Sequence, residues 1–168
     1  TFPDVDGVHI PEPLIQSAID NLLEKYAPAP LTALSLPGPT GEDNRLSTWP
    51  RGVILCIGPG LDAAEQQAVI AREMGCRALM IAPGADEGHS LDGVINLEAL
   101  ETLSGFAGVA FWGEDGPLKT ARQYLARREG PILPLICEGV EDMAARCFVE
   151  RHVCIDTTAS GGNATLLA

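Results

Sequence analysis

At 168 residues and 46% hydrophobic content, the chain is long enough to bury one sizeable core and to carry an extension. Its formal charge of −12 excludes a nucleic-acid backbone as a natural partner, and an anionic membrane surface with it. No stretch approaches the roughly 18 apolar residues of a membrane span, and no signal peptide is visible.

The chain starts at Thr1 rather than a methionine and stops after Leu166-Leu167-Ala168, which reads as a fragment of a longer protein. Residues 1–33 read as a linker and an amphipathic helix. Pro3, Gly7 and Pro11 break the first eleven residues. Pro13 then sits in a first helical turn, where its missing N–H costs nothing. Leu14, Ile15, Ala18, Ile19, Leu22, Leu23 and Tyr26 fall on one face. A face this apolar must be covered by the domain itself, by a second copy, or by another part of a parent chain. Ala27-Pro28-Ala29-Pro30 ends the helix as a stiff connector.

Residues 34–156 read as the main α/β domain. Pro37, Gly38, Pro39, Gly41 and Glu42 form a turn-rich loop, either a plain connector or a defined docking loop. Leu46–Trp49 reads as a short edge strand ended by Pro50. Val53–Ile57 is an unbroken apolar run, the pattern of a strand covered on both faces. Gly58-Pro59-Gly60 breaks it. Asp62 is then placed to cap a helix, with Glu65 closing a capping box. Ala64, Ala68, Ala71 and Val69 give that helix a small-residue face. Gly75 stops it, and Ala78–Ile81 is a second buried strand. Strand, turn, helix and strand in about thirty residues make a βαβ unit with parallel pairing.

Further strands are expected at Gly93–Asn96, Gly108–Trp112, Ile132–Cys137 and His152–Asp156. Pro134 favours an edge position for the third of these. Helices are expected after Asn96, over Leu118–Arg128 and over Glu141–Glu150. The fold class is therefore α/β: a Rossmann-like, mostly parallel sheet of about five to six strands with helices on both faces. Residues 157–168 form a small, glycine-rich tail.

Chemistry-bearing motifs are few. Gly58-x-Gly60-x-x-Ala63 is a tolerated spelling of the dinucleotide fingerprint and lies where a pyrophosphate would meet a helix N-terminus. Against it, Asp62 and Glu65 add negative charge there, and the second strand ends Ile81-Ala82-Pro83 with no carboxylate for a ribose. A structural turn is the favoured reading, with no cofactor held by this chain. His9, His89 and His152 are far apart in sequence, so no metal site is expected. Glu114 and Asp115 read as solvated turn residues. The five cysteines, Cys56, Cys76, Cys137, Cys147 and Cys154, are mostly inside apolar runs and nowhere spaced Cys-x-x-Cys. They read as reduced core thiols of a cytoplasmic protein, and none is expected to be catalytic.

Three stretches together are more specific: Leu36-Pro-Gly-Pro-Thr-Gly-Glu-Asp-Asn44 followed by the strand from Pro50, then Gly130-Pro-Ile-Leu-Pro-Leu135, then residues 151–168. Over residues 34–168 the sequence resembles the C-terminal region of the proline utilization A (PutA) family of bifunctional proline-catabolic flavoenzymes. The resemblance implies an aldehyde-dehydrogenase-superfamily-like domain without a catalytic cysteine. It would pack on the catalytic aldehyde dehydrogenase module of the same polypeptide, much as a dimer partner would. FAD and NAD would belong to the parent's catalytic modules, which oxidise proline to glutamate through a tunnel. The resemblance also implies a cytoplasmic parent, able to sit peripherally at the inner membrane. Thr157, Thr158, Gly161, Gly162, Asn163, Leu166 and Leu167 would contribute to sealing the tunnel. Two other roles stay open: a vestigial NAD-binding or regulatory module, and an oligomerisation domain using the helix Pro13–Tyr26.

Overall fold

The computed structural model describes residues 7–39, 41–86 and 88–156. They form two sheets of different character. The larger has five parallel strands in the order β5-β4-β3-β6-β7: Ser90–Asp92, Arg77–Ala82, Val53–Cys56, Phe106–Ala110 and Leu135–Ile136. Central β3 shows why such a strand reads as an unbroken apolar run. Val53, Leu55 and the following Ile57 enter one core, while Ile54 and Cys56 enter the other, and all five are buried. Alternating side chains fill both faces at once.

Helices α1 (Glu12–Glu24), α3 (Ala99–Thr102) and α4 (Asp115–Ala126) cover the first face. Helix α1 is covered by its own domain. Ile15, Ile19 and Leu22 are 0%, 0% and 2% exposed and pack with Leu100, Leu103 and the sheet. Each contributes about 1.5–3 kcal/mol as an upper bound. Leu14 and Leu23 lie at its margin and stay partly in water. A division at residue 33 falls inside β1 (Thr32–Leu36), and helix and sheet share one core.

Helices α2 (Gly60–Glu73) and α5 (Val140–Arg146) cover the second face. Ala64, Ala68 and Ala71 meet the sheet, whereas Val69 points outward and is exposed. Helix α2 starts earlier than Asp62 would have it. Pro59 holds the N-cap position and no side chain caps it, so the capping box with Glu65 does not form. Asp62 instead sits in the first turn, where its charge faces the positive end of the helix. Gly75 does end the helix, at φ +74°, and a Cβ there would also meet Pro50 Cγ at 2.8 Å.

The second sheet is antiparallel, in the order β1-β2-β8, with β2 (Glu42–Pro50) between β1 and β8 (Phe148–Asp156). Here the structure corrects the sequence reading. The short edge strand expected at Leu46–Trp49 lies in the second half of a nine-residue central strand. The strand expected at His152–Asp156 begins at Phe148 and pairs antiparallel with β2, not with the parallel sheet. It does so because α5 stops at Arg146, four residues short of the expected helix end. The strand expected at Gly93–Asn96 forms at Ser90–Asp92, and Val94 makes only an isolated bridge to His9. The helix expected after Asn96 is a single turn starting at Ala99. Asn96 still accepts a hydrogen bond from the Glu98 amide at 3.2 Å. Short β7 lies at the sheet edge, as Pro134 suggests.

Candidate functional site

Two places could carry function: the glycine turn at the carboxyl end of β3, and the antiparallel arm. In the turn, Gly58 and Gly60 both have positive φ, +86° and +75°. Gly58 is the more constrained. A Cβ there would stand 2.5 Å from the Gly60 nitrogen and 2.8 Å from its oxygen, whereas around Gly60 there is open space. A residue not singled out from sequence organises the turn. Gln67, fully buried on α2, donates from Nε2 to the Gly58 carbonyl at 2.7 Å and accepts from the Gly58 amide at 3.0 Å. A lone glutamine among Ala64, Ala68 and Ala71 on the buried face was the available signal. A buried amide must find partners, and the turn supplies them.

The space around this turn is small. The void lined by Ile57, Pro59, Gly60, Ile81, Ala82, Pro83, Val94 and Ile95 holds about 10 Å³, close to what one water needs. Ligand pockets are typically about 300–1,000 Å³. Part of the closure comes from the N-terminal segment, since a Cβ on Gly7 would touch Pro83 and Val94 at 2.9 Å. Ala63 lies half-buried in the first turn of α2, beside exposed Asp62.

The other candidates separate in space. Glu114 occupies the N-cap position of α4 and Asp115 its first residue. His9 bridges to Val94, His89 lies in the loop before β5, and His152 stands opposite Leu46 in the arm. Among the described residues no group of three or more His, Cys, Asp or Glu could hold a metal ion. The tail residues Thr157, Thr158, Gly161, Gly162, Asn163, Leu166 and Leu167 lie outside the described residues.

The loop of Pro37, Gly38, Pro39, Gly41 and Glu42 is the tip of the β1–β2 hairpin, where the Glu42 amide donates to the Pro39 carbonyl at 3.1 Å. Behind this tip the register places Ala33, Ser47 and Arg151 side by side, then Ser35, Arg45 and Val153. Pro30, Ala33, Leu34, Ser35, Arg45, Leu46, Ser47, Trp49 and Val153 line an open groove of about 350 Å³. Trp49 forms one wall. Its indole donates to Ser47 Oγ at 2.9 Å, and Arg151 stacks over the ring at 4.6 Å. Leu34, Val153 and Ile155 are 56%, 49% and 45% exposed. No residue of the three strands belongs to either hydrophobic core.

Fold and site together define a Rossmann-like α/β domain whose glycine turn is closed and which carries an open antiparallel arm. By sequence it belongs to the PutA family. It is 31% identical over 147 residues to the bifunctional protein PutA of Salmonella typhimurium, covering 79% of this chain and 11% of that protein. It is 29% identical to the Escherichia coli bifunctional protein PutA, again over 79% of this chain and 11% of that protein. The chain thus spans about a tenth of the length of these relatives. A crystal structure of a Bradyrhizobium japonicum proline utilization A (PutA) variant matches at 26% identity and a TM-score of 0.48, over 62% of this chain and 13% of that one. No family model matches the chain.

Proposed function

We propose that this chain is a non-catalytic docking domain of a PutA-type polypeptide that oxidises proline to glutamate, and that its antiparallel arm is the surface that docks. The observation that carries this reading is the arm itself. Three strands stand outside both cores, and they show Leu34, Val153 and Ile155 to water. A small sheet needs a covered apolar face to be stable, and an exposed edge strand invites another strand or surface to pair with it. The partner is the catalytic aldehyde dehydrogenase module of the same polypeptide. FAD and NAD are held there and in the proline dehydrogenase module, not by this chain. The tail from Thr157 follows directly on β8 and reaches the same partner, where it helps to close the tunnel between active sites. The parent is cytoplasmic.

The two other roles have less support. The 10 Å³ void at Gly58–Gly60 is far below the size of a nucleotide site. The apolar face of α1 is used within the domain, so it is not free to join two copies.

The test uses the full-length parent carrying Val153→Glu, or lacking residues 157–168. Proline dehydrogenase turnover with an artificial electron acceptor should be unchanged. NADH formation from proline should acquire a lag, because intermediate escapes and must build up in bulk solution. Immediate NADH formation in both variants would remove the docking and sealing role.

A further inference from the structure

Cys76 and Cys147 are 71 residues apart in sequence, yet meet where the arm joins the core. Cys76 ends the turn between α2 and β4, immediately before Arg77. Cys147 lies between α5 and β8, immediately before the arm's third strand. The Cys76 thiol donates to the Cys147 carbonyl oxygen at 3.0 Å, and the two thiols are close enough to shift each other's titration. Arg51, where β2 leaves the arm, closes the cluster. Its amide donates to the Cys147 carbonyl at 3.0 Å and its Nε to the Arg146 carbonyl at 2.7 Å.

The other cysteines differ. Cys56 is sealed in the same core, and burial pushes its thiol well up. Cys154 is exposed on the arm, and Cys137 is half-exposed beside Arg122. Cys76 combines a neighbouring thiol, the Arg51 charge and a sliver of exposure, 4% against 0% for Cys147. The Cys147 side chain beside it stabilises the Cys76 thiolate and lowers its pKa in spite of burial, while the Cys147 thiol itself is pushed up. A thiolate of this kind is the reactive form of cysteine.

We infer that Cys76 and Cys147 form a reversible dithiol–disulfide site, oxidised by hydrogen peroxide, that pins the root of the arm to the core. The Cys76 thiolate attacks one peroxide oxygen, the O–O bond breaks, and the hydroxide released leaves as water after taking up a proton. Cys76 is then a sulfenic acid. The Cys147 sulfur attacks the Cys76 sulfur, the S–O bond breaks, and hydroxide departs with the Cys147 proton as a second water. The two thiols have lost two electrons and peroxide has gained them. A small dithiol reverses the change.

The experiment treats the whole chain, and a Cys137→Ser/Cys154→Ser version of it, with hydrogen peroxide. Remaining thiols are blocked under native conditions before peptide mapping. The expected result is a Cys76–Cys147 linked peptide in both proteins, loss of two hydrogens per chain, a melting temperature raised by about 5 °C or more, and full reversal by dithiothreitol. Cys147→Ser should stop at a sulfenic acid on Cys76 that dimedone traps, and Cys76→Ser should leave Cys147 unmodified. If either variant fails to fold, the map of the whole chain decides. The site is overturned by sulfinic acid at Cys76 without a link, by links joining other pairs, or by an unmodified Cys76 when Cys154 is fully oxidised.

Discussion

The parallel and antiparallel sheets of this chain are built by opposite rules. In the parallel sheet, β3 buries all four residues and β4 five of six, so these two strands are finished by the helices on both faces. In the arm, β8 is nine residues long and exposed from Glu150 to Asp156, and β1 is exposed over four of five. One sheet holds its fold from within. The other has its backbone hydrogen bonds between strands and leaves its faces open. The contrast separates what keeps the domain folded from what it offers to a partner, and substitutions in the two regions should differ accordingly.

The largest effect belongs to the core. Leu55→Ala, between α1, α3 and α4 and the sheet, should cost about 3 kcal/mol in urea unfolding, through lost burial and the cavity left behind. Next comes the glycine turn. Gln67→Leu removes both hydrogen bonds to Gly58 and leaves its buried N–H without a partner, while the carbonyl keeps the Trp112 amide, at about 2 kcal/mol by the same measurement. A cost below about 0.5 kcal/mol would mean that the turn holds itself. Gly60→Ala should cost about 1 kcal/mol, since its φ is +75° but no atom stands in the way. Gly58→Ala should cost clearly more, because backbone lies 2.5 Å from the new Cβ. The smallest effect is in the arm. Val153→Glu in the isolated chain should shift unfolding by less than about 0.5 kcal/mol. A loss as large as that of Leu55→Ala would erase the distinction between the two sheets.

A second kind of measurement sharpens the contrast at the turn. Titration of the isolated chain with NAD should give a dissociation constant weaker than about 10 μM, or no heat at all. Asp62 in the first turn of α2 and the 10 Å³ void both work against a pyrophosphate.

The same contrast explains what could be read from sequence. Val53–Ile57 and Ala78–Ile81 announce themselves because strands covered on both faces are continuously apolar. The α1 face is equally plain, since Ile15, Ile19 and Leu22 recur at helical spacing. The arm gives no such signal. Glu42-Asp43-Asn44-Arg45 is polar, so β2 shows only its last apolar residues, and Thr32–Leu36 carries too few apolar side chains to stand out. Its pairing is also non-local. Glu42 meets Asp156 and Pro50 meets Phe148, and no periodicity within a segment reports a partner a hundred residues away. For that reason the loop Pro37–Glu42 was legible as a turn but not as a hairpin tip. The meeting of Cys76 with Cys147 was hidden in the same way, whereas Gln67 left a local sign in a small-residue face.

The most direct test of the arm as a docking surface is amide hydrogen exchange, followed residue by residue in the isolated chain and in the full-length parent. In both, β3 and β4 should exchange slowly. In the isolated chain, Thr32–Leu36 and Phe148–Asp156 should exchange fast, since they form the outer strands of an uncovered sheet. In the parent, the same two strands should become protected, by about a hundredfold or more if docking contributes 3 kcal/mol locally. Equal exchange of the arm in both proteins would contradict the account.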